Sequence, residues 1–387
     1  MAFEKEECGT EEWKRDSVFA ENISKMEQNM KKILILANSS GGLYDFRNEL
    51  VLELLKEYEV YVSVPDETAV DKLRAEGCKV IHTDINRRGM NPVQDLGLVK
   101  SYLQLLKEVQ PDVVLTYTIK PNIYGGFCCR LQKIPYIANI TGLGTTFERG
   151  GMLKKMVVAM YTTALKKAVC VFFQNDRNKQ IFEENGIYGL KTKRVNGSGV
   201  NVEKFQYEEY PGREKPKFLF VGRLMKEKGI EEFLYCAKKY ANRAEFDIIG
   251  YCEEDYENKV NEMQRQGILN FHGFQSNVRE FYKAADAIVI SSYHEGMSNV
   301  LLEAAATGRP VLATNIPGCR EAVEDNMTGV LFAPRDAGAL ETTIECFLAM
   351  PVTQRREMGQ AARKKMEQEF DRRKVVESYL EEINRIV

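Results

Sequence analysis

The chain has 387 residues, a formal charge of −2, and a composition of 44% hydrophobic and 28% charged residues. This length exceeds that of one ordinary hydrophobic core, so two domains are expected. No apolar run reaches the roughly 18 residues that a membrane-spanning helix needs, and the polar, acidic start lacks the pattern of a secretory signal. The nine cysteines are scattered without a CxxC pair, which disfavours a zinc site or a disulfide framework and favours a reducing cytosol.

The charge is distributed unevenly along the chain. Residues 1–30 hold 4 Lys and Arg against 8 Asp and Glu, residues 31–200 hold 24 against 17, and residues 201–387 hold 26 against 31. The basic first half predicts an anionic partner, such as a membrane surface or a phosphorylated acceptor. Nucleic acid is disfavoured, because no dense basic stripe is interleaved with aromatic residues. Residues 1–30 are interpreted as a leader or a disordered extension.

Strands and helices alternate from residue 31 onward. The first predicted strand, 31–38, is followed by a turn at Gly41 and Gly42 and a helix from about Asp45 to Lys56. Further strands are predicted at 59–64, 78–83, 111–117, 134–140 and 169–175, and helices at 66–76, 95–109, 121–132, 152–167 and 176–185. This alternation indicates a mainly parallel sheet covered by helices on both faces.

The pattern stops at residues 201–216, a polar stretch with two prolines that is interpreted as a linker. It restarts with strands at 217–223, 245–250, 268–273, 287–292, 310–315 and 328–333, and with helices at 229–241, 253–266, 276–284 and 299–307. The sequence therefore predicts an α/β fold of two Rossmann-like, doubly wound domains, 31–200 and 217–372, that face a cleft. A last helix, at about 373–387, is a candidate to return to the first domain.

The most informative segment runs from Ser291 to Pro310. It predicts the end of a strand, a short polar loop, and a helix that begins near Ser298 or Asn299, both common N-cap residues. Free backbone N–H groups at 297–300 and the positive end of the helix dipole predict a phosphate-binding site.

Two carboxylates, Glu295 and Glu303, flank this helix start. Eight helical residues span about 12 Å, whereas the carboxylates of a retaining glycosidase lie about 5 Å apart. The spacing therefore disfavours a nucleophile–acid pair and favours two ligands that hold opposite ends of one long substrate, with a diphosphate between them. The alternative is a pair of solvated surface glutamates, against which their position between a buried strand and a capped helix argues.

A second informative loop, residues 221–229, follows the first strand of the second domain. Gly222 allows a close turn, and Arg223 and Lys228 project from the loop. Two cations at a strand end can neutralise a diphosphate and stabilise the charge that builds on a departing nucleotide. Cations in loops are often only solvated, so this loop alone is a weak indication of a diphosphate site. Together with the segment that contains Glu295, the indication is strong.

The stretches GRLMKEKG and EGMSNVLLEAAATGRPVLATNIPGCREAV resemble glycosyltransferase family 4, retaining enzymes with two Rossmann-like domains in the GT-B arrangement. The resemblance extends over about residues 30–387, through the Gly41-Gly42 loop and the segment Gly197–Asn201. Where the family usually has Asp after Gly-x-Gly-Val, this chain has Asn201. The motifs are specific for the family and its mechanism, but they carry little information about the identity of the substrate.

The resemblance implies a nucleotide diphosphate sugar as donor, expected to be a UDP-sugar, and neither a metal nor another cofactor. Arg223, Lys228 and Glu295 are the implied catalytic residues: the two cations bind the diphosphate, and Glu295 holds the transferred sugar. Glu303 is implied to bind the ribose. The full set of implied donor-binding residues is Gly41, Gly42, Gly222, Phe274, Gly296, Met297, Ser298, Asn299, Val300 and Glu303.

The acceptor side is less well defined. Many family members carry a His after the fifth strand, but residues 139–147 contain none, so Thr141 or the backbone of Gly142–Gly144 is expected to contact the sugar. This run and the segment that begins at Lys120 resemble the subgroup that extends undecaprenyl-diphosphate-linked saccharides in bacterial surface-glycan synthesis. Thr141, Gly142 and Lys120 are therefore the candidate residues on the acceptor side.

Residues 149–169 combine apolar and basic side chains in one predicted helix. Such a helix can lie in an anionic membrane interface, with Arg87 and Arg88 adding to the patch, or it can pack its apolar face on the first sheet. The first interpretation predicts a cytoplasmic protein held peripherally on the inner face of the plasma membrane. Its candidate membrane contacts are Lys154, Lys155, Lys166 and Lys167.

Three alternatives to this function stay open. A nucleotide-sugar 2-epimerase of GT-B architecture would bind the same donor without an acceptor. A glycosyltransferase with a soluble acceptor would not need the basic helix. A non-enzymatic nucleotide-sugar sensor would bind the donor without turnover.

Overall fold

The computed structural model describes residues 30–86, 92–143, 147 and 151–387. The leader up to residue 29, the candidate membrane contacts Arg87 and Arg88, and Gly144 of the candidate sugar-contacting loop lie outside the described residues.

The first sheet has seven parallel strands in the described part of the chain, in the order β3-β2-β1-β4-β5-β6-β7. Its strands are β1 Lys32–Leu36, β2 Glu59–Val64, β3 Lys79–His82, β4 Val113–Tyr117, β5 Tyr136–Ile140, β6 Cys170–Phe173 and β7 Thr192–Arg194. Its helices are α1 Ser40–Leu55, α2 Val70–Ala75, α3 Pro92–Val109, α4 Gly126–Gln132, α5 Gly151–Leu165 and α6 Asp176–Glu184, with a π-helical turn at Pro121–Gly125. The sequence did not predict β7, because three polar residues carry no hydrophobic pattern.

The start of α1 corrects the sequence prediction. The helix begins at Ser40, not near Asp45, so Gly41 and Gly42 lie in its first turn rather than in a preceding loop. The cause is the N-cap: Ser39 is extended, and its hydroxyl accepts a hydrogen bond from the backbone N–H of Gly42 at 3.2 Å. The glycine pair hid this cap, because glycine usually marks a turn.

The second sheet has six parallel strands among the described residues, in the order β10-β9-β8-β11-β12-β13. Its strands are β8 Lys217–Val221, β9 Glu245–Ile249, β10 Asn270–Phe271, β11 Ala287–Ile290, β12 Val311–Thr314 and β13 Gly329–Phe332. Its helices are α7 Ile230–Tyr240, α8 Glu257–Arg265, α9 Arg279–Ala284, α10 Asn299–Ala306, α11 Ala337–Ala349 and α12 Val352–Lys365, with a 3₁₀ turn at Lys226–Lys228 and a π-helical turn at Met366–Phe370.

The predicted fold class is confirmed: both sheets are doubly wound and Rossmann-like. In each sheet the strand order reverses beside the first strand, between β1 and β4 and between β8 and β11. Ligands of such sheets bind at this reversal, beyond the carboxyl ends of the strands. The loops after β8 and β11 carry the predicted donor residues, so they lie at the expected position.

Helices bury both faces of the sheets, which explains the continuous apolar runs of the strands. Ile33 and Ile35 of β1 belong to one hydrophobic cluster, while Leu34 and Leu36 face the cluster on the other side. Successive strand residues point to opposite faces, so a strand between two helical layers must be apolar at every position.

The chain ends in a helix that packs on the first sheet. Helix α13, Arg372–Ile383, contributes Tyr379 and Ile383 to the hydrophobic cluster that contains Ile33. The ring of Tyr379 stacks on Phe172 of β6 with centroids 4.4 Å apart. Residues 372–383 thus belong structurally to the first sheet, although they follow the second one in the chain.

Candidate active site

Two loops of the second domain meet through one ion pair. The Nζ atom of Lys228, in the loop after β8, lies 2.6 Å from Oε1 of Glu295, in the loop after β11. The two side chains are 25% and 14% exposed, so the pair is only partly screened by water. The neighbouring cation, Arg223, pairs with Glu253 at 2.5 Å. Carboxylates therefore hold both cations at the ends of adjacent strands.

Helix α10 begins at Asn299, within the range that the sequence predicted. Ser298 is its N-cap: the hydroxyl accepts from the backbone N–H of Leu301 at 3.4 Å. The backbone N–H of Ser298 donates to the carbonyl of Gly318 at 3.1 Å, which fixes the loop against its neighbour. The helix therefore presents its positive end directly after Glu295.

A cavity of about 900 Å³ lies between the two domains. The second domain contributes Arg223, Lys228, Glu295 and Gly296 to its lining. From the first domain the lining includes Gly142, Lys154 and Arg177. The structure thus brings all three predicted catalytic residues into one cavity with a predicted sugar-contacting residue.

Thr141 approaches the donor loop with its backbone. A Cβ atom at position 296 would overlap the carbonyl oxygen of Thr141 and would lie 3.0 Å from Oε1 of Gln174. Gly296 is therefore required by the close contact between the first-domain loop and the second-domain loop. The side chain of Met297 is likewise buried, at 6% exposure, whereas Val300 is partly exposed on the first turn of α10.

Glu303 lies on α10 and does not line the cavity. Its Oε2 accepts a hydrogen bond from the hydroxyl of Tyr282 at 2.9 Å. Loss of hydration raises the pKa of Glu303 to about 7, although the Tyr282 hydrogen bond and the positive charges of Arg372 and Lys204 act in the opposite direction. A carboxyl with this pKa exists in both protonation states near neutral pH.

Other predicted residues lie apart from the cavity. Phe274 is 72% exposed after β10. Lys120 forms an ion pair with Asp95 at 2.7 Å, with side chains only 12% and 9% exposed. Gly41 lies in the first turn of α1, where a Cβ would be 3.1 Å from Cγ2 of Thr68, and Gly222 follows β8 beside Gly250. The structure therefore does not bring Lys120 to the first-domain wall of the cavity.

Asn175 joins the two domains and was not among the residues predicted from the sequence. Its Oδ1 accepts from the backbone N–H of Asn178 at 2.8 Å and so caps α6. Its Nδ2 donates to the carbonyl of Gly296 at 2.5 Å. The available signal was a polar pair, Gln174 and Asn175, at the carboxyl end of a buried strand.

A second missed contact comes from the segment 197–199. Gly197 has φ of +63°, and a Cβ there would overlap the side chain of Met297. The hydroxyl of Ser198 donates to Oδ1 of Asn299 at 2.5 Å. The loop from Gly296 to Asn299 is therefore clamped by first-domain groups along its length.

Among the described residues, no group of three or more His, Cys, Asp and Glu side chains is arranged to hold a metal ion. Within the same residues, no helix has the length and apolar character needed to cross a membrane.

Two family models match the chain. The model of glycosyl transferase 4-like domains matches residues 32–175, and that of glycosyl transferases group 1 matches residues 202–365. A similar curated protein is the N,N'-diacetylbacillosaminyl-diphospho-undecaprenol alpha-1,3-N-acetylgalactosaminyltransferase of Campylobacter jejuni, 27% identical over 82% of this chain and 89% of its own. Another is the UDP-Gal:alpha-D-GlcNAc-diphosphoundecaprenol alpha-1,3-galactosyltransferase of Escherichia coli, 28% identical over 64% of this chain and 69% of its own.

Solved structures share the fold. Anabaena Alr3699/HepE, in complex with UDP and glucose, superposes with a TM-score of 0.76 at 18% identity, covering 92% of this chain and 99% of its own. The sucrose-phosphate synthase of Thermosynechococcus elongatus superposes with a TM-score of 0.75 at 16% identity, covering 92% and 99%. At these identities the likeness concerns the arrangement of the two domains.

Proposed function

The chain belongs to the GT-B glycosyltransferases with a 4-like first domain and a group 1 second domain, and on that premise we propose that it is a retaining enzyme that moves a sugar from a UDP-sugar to a saccharide on a lipid diphosphate. The observation that carries the proposal is the pairing of Lys228 with Glu295 at the start of α10, inside the interdomain cavity. This arrangement offers a cation for a diphosphate beside a carboxylate for sugar hydroxyls.

The proposed donor lies across the second-domain loops. Arg223 and Lys228 bind its diphosphate, and the positive end of α10 adds to the favourable potential. Glu295 and the backbone of Gly296–Asn299 hold the transferred sugar, a hexose or an N-acetylhexosamine. Glu303 accepts the ribose hydroxyls. Because Lys228 and Glu295 pair with each other at 2.6 Å, donor binding exchanges this ion pair for contacts with the ligand.

The proposed reaction needs no divalent metal. The acceptor hydroxyl attacks the anomeric carbon from the face that the diphosphate leaves, the bond between that carbon and the phosphate oxygen breaks, and the proton passes to the departing phosphate. Arg223, Lys228 and the α10 dipole stabilise the negative charge on the nucleoside diphosphate. Because both bonds lie on one face of the sugar, the anomeric configuration is retained.

The named relatives support a lipid-linked acceptor. The Campylobacter jejuni and Escherichia coli proteins are both named for saccharides joined to undecaprenol through a diphosphate. A sugar added to such an acceptor would serve bacterial surface-glycan synthesis, and the enzyme would work at the cytoplasmic face of the plasma membrane.

Helix α5 supports membrane contact. Its residues Met152, Leu153 and Met156 are 87%, 48% and 44% exposed, and Lys155 is exposed beside them. Apolar side chains with an adjacent lysine suit an anionic membrane interface. Lys166 and Lys167 are also exposed, directly after the helix ends at Leu165.

The test is a donor screen with and without a prenyl-diphosphate saccharide. We expect UDP release that depends on the acceptor, a product with the donor's anomeric configuration by NMR, and little inhibition by EDTA. Interconversion of UDP-sugars without acceptor would instead identify a 2-epimerase. Equal transfer to a soluble saccharide would remove the lipid from the proposal, and donor binding without turnover would indicate a sensor.

A further inference from the structure

The first-domain wall of the interdomain cavity carries two cations that have no role in the proposed donor site. Lys154, near the start of α5, and Arg177, near the start of α6, both line it. Neither belongs to the loops after β8 and β11 that hold the proposed donor. These two first-domain cations could therefore bind a second anion, separate from the donor diphosphate.

Helix α5 turns Lys154 inward. Lys154, Val157 and Tyr161 are spaced by three and four residues, so they share one helix face. Val157 and Tyr161 are 6% and 1% exposed in the first-domain core, and Lys154 continues their row into the cavity. Met152 and Met156 lie on the opposite face and are exposed. One helix thus directs an ammonium group into the cavity and apolar side chains outward.

The cations that line the cavity differ in how far the described carboxylates neutralise them. The two second-domain cations in the cavity each have a carboxylate within 2.6 Å. Arg177 pairs with Glu184 at 3.2 Å, with both side chains about half exposed. Lys154 has no ion pair with any described carboxylate, although the cavity shields it in part. A partly buried, uncompensated ammonium attracts an anion.

Asn178 adds an unmet donor to the same wall. The residue lines the cavity, is 8% exposed, and its buried Nδ2 donates to no described acceptor. Its backbone N–H is already used in the cap by Asn175. Buried polar groups are nearly always hydrogen-bonded in native proteins, so an unmet donor beside a cavity indicates a missing ligand or water. Lys154, Arg177 and Asn178 thus line one space with two cations and an amide donor, and Glu184 is the carboxylate beside Arg177.

We propose that Lys154, Arg177 and Asn178 bind the diphosphate of a prenyl-diphosphate acceptor. The proposal rests on the proposed function and adds the site at which its lipid-linked substrate is held. Met152 and Met156 are exposed on the opposite face of the same helix, so a prenyl chain attached to a diphosphate in the cavity would pass around α5 to reach this apolar face. Two cations and an amide donor match two adjacent phosphates better than the single phosphate of a glycerophospholipid.

The experiment measures binding of farnesyl diphosphate to the full-length protein by calorimetry, with saturating UDP so that the donor site is filled. We expect Lys154→Ala and Arg177→Ala each to raise the Kd about tenfold, the effect of losing one charge-assisted contact. Lys154→Arg should restore most of the affinity. Lys107→Ala, which removes an exposed lysine in the last turn of α3, is the matched control and should not change the Kd. Thermal unfolding of each variant reports whether it folds.

Three results would overturn the site. The first is an unchanged Kd in folded Lys154→Ala and Arg177→Ala. The second is equal binding of farnesol and farnesyl diphosphate, which would indicate recognition of the chain alone. The third is a loss of binding to phosphatidylglycerol vesicles in Lys154→Ala as large as in Lys155→Ala, which would make Lys154 a contact for phospholipid headgroups. If the wild-type protein binds farnesyl diphosphate through Lys154 and Arg177 but transfers no sugar, the proposed function is wrong. The diphosphate site would then still be supported.

Discussion

The side-chain amide of Asn175 donates to the carbonyl of Gly296 at 2.5 Å, so a residue of the first domain holds the loop that the second domain offers to the donor. The same amide group caps α6 through its oxygen. One side chain therefore fixes the wall that carries Arg177 and Asn178 and the loop that carries Glu295. The proposed donor and acceptor positions are therefore expected to be coupled through this residue.

Asn175→Asp separates the two roles of the side chain. Aspartate keeps the oxygen that caps α6 and loses the N–H that binds the Gly296 carbonyl. Because Asn175 is fully buried, the carboxylate would be desolvated against the Gly296 carbonyl oxygen, so we expect a lower melting temperature. We expect kcat/KM to fall at least about tenfold, as for one lost hydrogen bond of about 1.4 kcal/mol. Asn175→Ala removes both the cap and the donor without burying a charge, and loss of the cap should cost about 1 kcal/mol of stability. Equal activity of Asn175→Asp and wild type would contradict the coupling.

Gly296→Ala tests the close approach of the domains. The new Cβ would overlap the carbonyl oxygen of Thr141, so the first-domain loop and the donor loop must separate. We expect a strong loss of kcat and a larger radius of gyration in small-angle X-ray scattering. Gly97→Ala, in the middle of α3 with open space around the new Cβ, is the matched control and should retain activity. A compact and active Gly296→Ala protein would show that this contact is dispensable.

Much of the second-domain half of the site was predictable from sequence, because its signals are local. The N-cap at Ser298 and the cations after β8 follow from residues within one loop. The contacts of Asn175 and Gly197 join residues about 100 positions apart, and hydrophobic periodicity carries no information on such pairs. Lys120 was a candidate through the resemblance of its segment, and the sequence did not indicate its ion pair with Asp95, 25 positions away.

Lys228→Ala and Glu295→Ala should each reduce kcat by about 10² to 10³, the range found when one preorganised electrostatic contact to a transition state is removed. Circular dichroism should show an unchanged fold, because both side chains project from loops at the cavity. Lys239→Ala is the control for the loss of a charge. It breaks a surface ion pair between Lys239 of α7 and Glu341 of α11. Wild-type rates in Lys228→Ala would contradict the proposed donor site.

Removing the outer apolar face of α5 should weaken membrane binding. The double variant Met152→Ser, Met156→Ser removes two exposed apolar side chains without changing charge. We expect less cosedimentation with phosphatidylglycerol vesicles, while turnover of a water-soluble short-chain acceptor stays unchanged. Leu190→Ser, at a residue that is 68% exposed outside α5, is the control. Equal cosedimentation of both variants would remove α5 as the membrane contact.

Glu303 predicts a pH dependence with a defined sign. Its folded pKa of about 7 lies above the reference value of 4.5, so between these values the folded state keeps a proton that the unfolded state has lost. The contribution of Glu303 to the free energy of unfolding therefore falls as the pH rises from 4.5 to about 7. Above that pH the contribution is fully lost. Glu303→Gln keeps an acceptor for the Tyr282 hydroxyl and cannot ionise. Its melting temperature relative to that of the wild type should increase from about pH 5 to about pH 8.

Donor binding should change in the opposite sense to stability. The ionised carboxylate is the better acceptor for ribose hydroxyls, so the affinity of the wild-type protein for UDP should rise as Glu303 loses its proton near its pKa of about 7. Calorimetry of UDP binding on both sides of this pH measures the effect. Glu303→Gln is the control, because it preserves the titration of the UDP phosphate and removes that of Glu303. A parallel pH dependence in both proteins would show that Glu303 does not bind the donor.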